Sequence, residues 1–133
     1  MADVFLSYVH EDAVGAHAIE RALQGFGAEV WTDRKVAPGE DWAEQIEKRL
    51  ADSDVIMLLI TPSYLGFHWA QLEMGYALGR SLDKGVEVVP ILLRDAVLPR
   101  FLNRFSVIDA RQLSANELAD KMRAFGSAQK ASA

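Results

Sequence analysis

A parallel α/β sheet with helices on both faces is the architecture this sequence predicts, and three observations predict it. Five short apolar runs are interspersed with stretches of helical periodicity along the chain. The central run, VIMLLI at residues 55–60, is apolar without alternation, as expected of a strand covered on both sides. No repeat or low-complexity block interrupts the order, and 133 residues suit one domain with a sizeable core. At this length the expected arrangement is flavodoxin-like, with five parallel strands in the order 2-1-3-4-5.

The elements follow in turn. DVFLSY, residues 3–8, reads as the first strand. After the polar corner VHED, residues 13–26 carry Ala18, Ile19, Ala22, Leu23 and Phe26 at helical spacing, and Gly27 is a natural stop. AEVWTD, 28–33, is the second strand, and Pro38 and Gly39 mark the loop behind it. A helix is expected from Trp42 to Ala51, with Ala43, Ile46 and Leu50 inward. Another follows PSYLGFH and runs to Leu82. VEVVPILL is a fourth strand, in which Pro90 points to an edge position or a bulge. SVIDA, 106–110, is the fifth. Ser114 followed by Glu117 is a capping-box signal for a last helix ending near Phe125. The domain is expected over residues 1–126, with 127–133 as a linker-like tail.

Composition narrows the function. A net charge of −5 argues against a surface built to grip nucleic acid. The absence of cysteine removes disulfides, zinc–cysteine sites and thiol catalysis, and suits a reducing cytoplasm. The opening MADVFLSY lacks the pattern of a signal peptide, and no apolar run approaches the ~20 residues that span a bilayer. A cytoplasmic domain without membrane or direct nucleic-acid partners is expected.

In such sheets ligands sit beyond the carboxyl ends of the strands, where the order reverses between strands 1 and 3. The segments meeting there are SYVHED and TPSYLGFHW. No G-x-G-x-x-G follows strand 1 and no phosphate-binding G-x-x-x-x-G-K-[ST] occurs. No phosphoacceptor aspartate ends strand 3, and His10, His17 and His68 lack paired metal-ligand spacing. A serine nucleophile lacks its elbow motif. What remains is FHWAQLEMGYALGR, residues 67–80, a helix-forming stretch with one carboxylate, Glu73. Its helical neighbours are Trp69, Ala70, Tyr76 and Ala77, none a cation. Glu73 is either simply solvated or held beside aromatic rings for a purpose. Trp69 reads equally as a core edge or a crevice wall, and Trp31 as core or wall. Ser7 and Tyr8 read as strand-end hydroxyls or substrate contacts, and Asp33 as a turn residue or a contact.

DVFLSYVHED resembles the first signature box of Toll/interleukin-1 receptor (TIR) domains. The stretch VWTDRKVAPGEDWAEQIEKRLADSDVIMLLITPSYLGFHWAQLEMGYAL is similar to the family's second strand, BB loop and following elements through the third helix. The likeness covers residues 3–110 and is bacterial in style. The family's Phe-Trp box has no clear counterpart, RFLNRFSVIDA standing in its place. Many TIR domains cleave NAD+ between nicotinamide and ribose, using a glutamate in a W-x-x-x-E pattern. Trp69-Ala70-Gln71-Leu72-Glu73 matches it, so the resemblance implies that Glu73 is the catalytic carboxylate. It also implies that Ser7 and Asp33 are substrate contacts and that Lys35 to Glu40 form the BB loop, which gates the site and takes part in assembly. Tyr8, Lys35, Trp69 and Tyr76 complete the candidate substrate-binding set.

By that resemblance the activity is NAD+ glycohydrolase, releasing nicotinamide with linear or cyclic ADP-ribose, in antiphage defence or virulence. NAD+ would be the substrate, with no further cofactor and no metal. Other TIR domains would be the partners, in a homo-oligomer or filament, and a longer protein would carry a sensor domain after this one. Two other readings stand beside it: a non-catalytic adaptor acting through TIR–TIR contacts, and an enzyme similar to nucleoside deoxyribosyltransferases.

Overall fold

The computed structural model describes residues 3–32, 52–66, 87–100, 102 and 105–122. Five parallel strands form one sheet: β1 (Asp3–Ser7), β2 (Glu29–Trp31), β3 (Val55–Ile60), β4 (Glu87–Leu92) and β5 (Ile108–Asp109), in the order β2-β1-β3-β4-β5. Among the described residues the α-helical segments are α1 (Ala13–Gly25), the short α2 (Pro62–Gly66) and α3, residues 115–122. The expected helices over 42–51 and from after His68 to Leu82, residues 123–125 of the expected last helix, and the tail 127–133 lie outside the described residues.

Side-chain alternation divides the core into two halves. Val4 and Leu6 of β1 and Val55, Met57 and Leu59 of β3 pack with Ile19 and Leu23 of α1 and with Leu118 and Met122 of α3. Phe5, Ile56, Leu58 and Ile60 face the other way, against Tyr64 of α2 and Leu102. All six residues of β3 are buried, because both of its faces are covered. Each such aliphatic side chain contributes about 1.5–3 kcal/mol by leaving water.

Helix α1 shows the amphipathic spacing directly, with Ala16, Ile19 and Leu23 buried on one stripe. Phe26 departs from the expected inner stripe. The helix ends at Gly25, Phe26 is its C-cap and is 42% exposed, and Gly27 turns the chain at φ 90° towards β2. The positive φ is where glycine is needed.

Pro90 does not mark an edge strand, since β4 lies between β3 and β5. Its place is explained by the hydrogen-bond phase. Glu87 and Leu93 donate their N–H groups to Asp54 and Ile60 on the β3 side, so the nitrogens of even-numbered residues face β5. The pairing with β5 involves only Ile91 and Leu92, so the missing N–H of Pro90 interrupts no ladder bond.

At that short edge, Arg111 donates from Nε and Nη2 to the two carboxylate oxygens of Asp109, at 2.8 and 2.7 Å, and from Nη1 to Asp95. These side-chain bonds hold the Asp109 carboxyl down at about 2 from the ordinary 3.8 and raise the Arg111 guanidinium. A depressed acid stabilises the fold above its unfolded value, and that contribution disappears as the pH falls from about 3.8 through about 2. An NMR titration is expected to place Asp109 in that low range, and Arg111→Ala to return it towards 3.8. An Asp109 that titrates normally in the parent protein would remove this latch. The reciprocal capping box opens α3. Ser114 N donates to Glu117 Oε1 at 3.0 Å, Glu117 N donates to Ser114 Oγ at 3.1 Å, and the first of these contacts leads in lowering the Glu117 carboxyl.

Candidate active site at the carboxyl edge of the sheet

The order β2-β1-β3 reverses at β1, which places the crevice between the turn after β1 and the segment after β3. Four buried polar side chains meet there: Ser7 at the end of β1, Asp12 at the end of the following 3-10 turn (His10–Asp12), Thr61 after β3, and Tyr64 in α2. The sequence builds the β3 side locally. Thr61 is the N-cap of α2, accepting from Tyr64 N at 3.1 Å, and Pro62 follows at the first helical position, where no N–H is wanted.

Two hydrogen bonds close the crevice floor. The hydroxyls of Ser7 and Tyr64 lie 2.7 Å apart, with Ser7 1% exposed and Tyr64 fully buried. Thr61 Oγ1 donates to Asp12 Oδ2 at 2.6 Å, in the short range of hydrogen bonds to a charged acceptor. The other oxygen, Asp12 Oδ1, is buried without a hydrogen-bond partner, yet Arg94 Nη2 lies 3.7 Å from it. That spacing is an ion-pair distance rather than a hydrogen bond, so charge and not directional bonding connects the loop after β4 to Asp12.

Of the residues that the sequence marks as site candidates, the structure brings Ser7 and Tyr8 to the carboxyl end of β1 but turns them to different faces. Ser7 reaches Tyr64 on the α2 side. Tyr8 is 2% exposed in the α1 half of the core, its hydroxyl 3.5 Å from His17 Nε2 and its ring edge-on to that imidazole. Glu73, Asp33, Lys35, Trp69 and Tyr76 lie outside the described residues. Trp31, open between core and wall in the sequence, is half-buried on the α2 side and stacks on Phe5 with ring centroids 5.9 Å apart.

Sequence reasoning did not single out Asp12, Thr61 or Tyr64. The Thr-Pro pair after an apolar strand is a legible helix start, and would have flagged Thr61. A cleft of about 410 Å³ also opens at the amino-terminal side of the sheet, lined by Asp3, Gln24, Glu29, Trp31 and Asp52 among others. It lies away from the Ser7–Asp12 corner, and the carboxyl edge is the better candidate on topology. Among the described residues no helix is long and apolar enough to cross a membrane.

A five-stranded parallel sheet in this order, with polar residues gathered at its switch point, defines an α/β domain of the doubly wound class. The chain belongs to the TIR domain family, which matches it over residues 4–124. It is 27% identical over 119 residues to the 2' cyclic ADP-D-ribose synthase BtTIR of Bacteroides thetaiotaomicron, covering 86% of this chain and 40% of that protein. It is 32% identical over 100 residues to the uncharacterized protein y4lF of Sinorhizobium fredii, covering 71% of this chain and 31% of that one. The chain thus spans about a third of the length of these curated relatives. Among solved structures, the TIR domain of the Toll-related receptor TRR-2 from Hydra magnipapillata superposes with a TM-score of 0.73 at 20% identity, over 96% of this chain and 94% of that one.

Proposed function

We propose that this TIR domain is an NAD+ glycohydrolase in which Glu73 is the catalytic carboxylate. The observation that carries the reading is the Trp69–Glu73 motif, a W-x-x-x-E pattern in the sequence directly following α2, in a TIR-family chain similar to a 2' cyclic ADP-D-ribose synthase. The chemistry needs one carboxylate. Nicotinamide is bound through a cationic nitrogen and departs neutral, so the general acid of ordinary glycosidases has no task. The ribose is left with oxocarbenium character, which a glutamate in a water-poor crevice stabilises while accepting from the ribose hydroxyls. Water then attacks the anomeric carbon, giving ADP-ribose and one proton. If a hydroxyl of the same molecule attacks instead, the product is a cyclic ADP-ribose, as the name of the Bacteroides relative describes for that protein. Ser7, Asp33, Lys35, Trp69 and Tyr76 are proposed to line the substrate, with Tyr8 supporting the strand end.

Purified protein incubated with NAD+ is expected to release nicotinamide, with free nucleosides left intact. Assembly with other copies is part of the proposal, since repeated head-to-tail contacts complete sites between neighbours. Turnover per molecule is therefore expected to rise with protein concentration, or on fusion to an oligomerising partner. Equal turnover per molecule at every concentration would contradict that part. A role in bacterial antiphage defence, in the cytoplasm, follows as the setting in which depleting NAD+ is useful to a cell.

A further inference from the structure

Asp12 occupies the N-cap position of α1, where an aspartate ordinarily accepts a hydrogen bond from the first backbone N–H groups of its own helix. Here it makes no such bond. Its side chain, 3% exposed, is committed to other elements instead: Oδ2 to the Thr61 hydroxyl at 2.6 Å, and Oδ1 towards Arg94 at 3.7 Å. The first N–H of α1, that of Ala13, is met by His10 O of the preceding 3-10 turn, and burying the Asp12 carboxyl group away from its own helix is unfavourable locally, so the arrangement is set by what it joins. It joins the carboxyl ends of three neighbouring strands, β1, β3 and β4, across the crevice.

Thr61 is the hinge of this connection. Its hydroxyl donates its single proton to Asp12 and accepts from Tyr64 N, so the acceptor that fixes the start of α2 is itself oriented by Asp12. Tyr64 passes the constraint back to β1 through Ser7. The sequence carrying Trp69 and Glu73 begins directly after α2. We propose that Asp12 is a positioning residue for NAD+ cleavage: acting through Thr61, it sets where the segment after β3 leaves the sheet. This rests on the NADase reading given above. Arg94 contributes a compensating charge from the loop after β4 and is not itself required to touch substrate.

The test uses the full chain, assembled, with Asp12→Ala, Asp12→Asn, Thr61→Val, Thr61→Ser and the double variant Asp12→Ala/Thr61→Val. Kinetics are taken below each variant's melting temperature and normalised to folded protein. Asp12→Ala and Thr61→Val are expected to lower kcat about 10- to 100-fold with KM changed less than about threefold, the pattern of a misplaced catalytic group rather than lost binding. Thr61→Ser keeps the hydroxyl and is expected within about twofold of the parent. Asp12→Asn keeps one acceptor for Thr61 and falls between, and it serves if the alanine variant does not fold. The double variant is expected to be no slower than Thr61→Val alone, because Asp12 acts through that hydroxyl. Parental kcat in folded Asp12→Ala, or multiplicative losses in the double variant, would overturn the proposal. If the parent protein does not cleave NAD+, the functional reading fails separately. Amide exchange then decides the structural half: Tyr64 N–H is expected to exchange at least about tenfold faster in Asp12→Ala while Met57 in β3 is unchanged, and equal Tyr64 rates would refute it.

Discussion

Glu73→Gln is expected to lower NAD+ turnover by about two to three orders of magnitude, the usual consequence of removing one preorganised electrostatic partner of a transition state. The substitution exchanges a carboxylate for an amide of the same shape, so packing is conserved and charge is lost. The ground state carries its positive charge on the nicotinamide ring. In the transition state that charge moves to the ribose ring, where a nearby anion gains most. An interaction that grows along the reaction coordinate lowers kcat when it is removed, and KM changes little. The measurement is nicotinamide release by parent and variant at equal assembly, with melting curves to show that both are folded. A variant as active as the parent would shift the catalytic assignment to another carboxylate, Asp33 first.

The sheet was legible because its signals are local. VIMLLI reads as a strand covered on both faces, and β3 is buried at every position. The strand order followed from alternation of elements and chain length alone. Pro90 misled for a physical reason. A proline excludes one hydrogen bond, and the sequence does not show which neighbour that bond would have met; here its nitrogen faces a flank that β5 pairs only from Ile91 onward. β5 is also shorter than the expected SVIDA, because β4 pairs with it only at Ile108 and Asp109. Around the crevice, the single letter was readable and the partnership was not. Asp12 stands in the sequence only as part of the polar corner VHED, and the partner of its oxygen lies 49 residues away. Ser7 reads as a strand-end hydroxyl, and only the folded chain shows Tyr64 reaching it from 57 residues further on. Local propensity was overridden at the place where three strand ends converge, which is where a functional site is expected to break local rules.

Tyr64→Ala is expected to destabilise the domain by about 3–5 kcal/mol, the range for truncating a fully buried aromatic residue. For a chain of this size that corresponds to a fall in Tm on the order of 10–15 °C, measurable by calorimetry. The ring fills the α2 half of the core against Phe5, Ile56 and Leu58, and its hydroxyl meets Ser7. Tyr64→Phe separates these two contributions. It keeps the ring and leaves the buried Ser7 hydroxyl without this partner, at a cost of about 1–3 kcal/mol. Adding Ser7→Ala to Tyr64→Phe replaces both polar groups by apolar ones and is expected to recover much of that loss, since the Ser7 hydroxyl is no longer left facing the missing Tyr64 oxygen. A further loss in the double variant would show that Ser7 has another partner that matters more. The same double variant divides structure from function at this residue. If Ser7 serves only as the partner of Tyr64, the restabilised protein turns over NAD+ at the rate of Tyr64→Phe or better. If Ser7 also contacts the substrate, stability returns while KM rises, because the hydroxyl that the crevice offers to ribose or phosphate has gone.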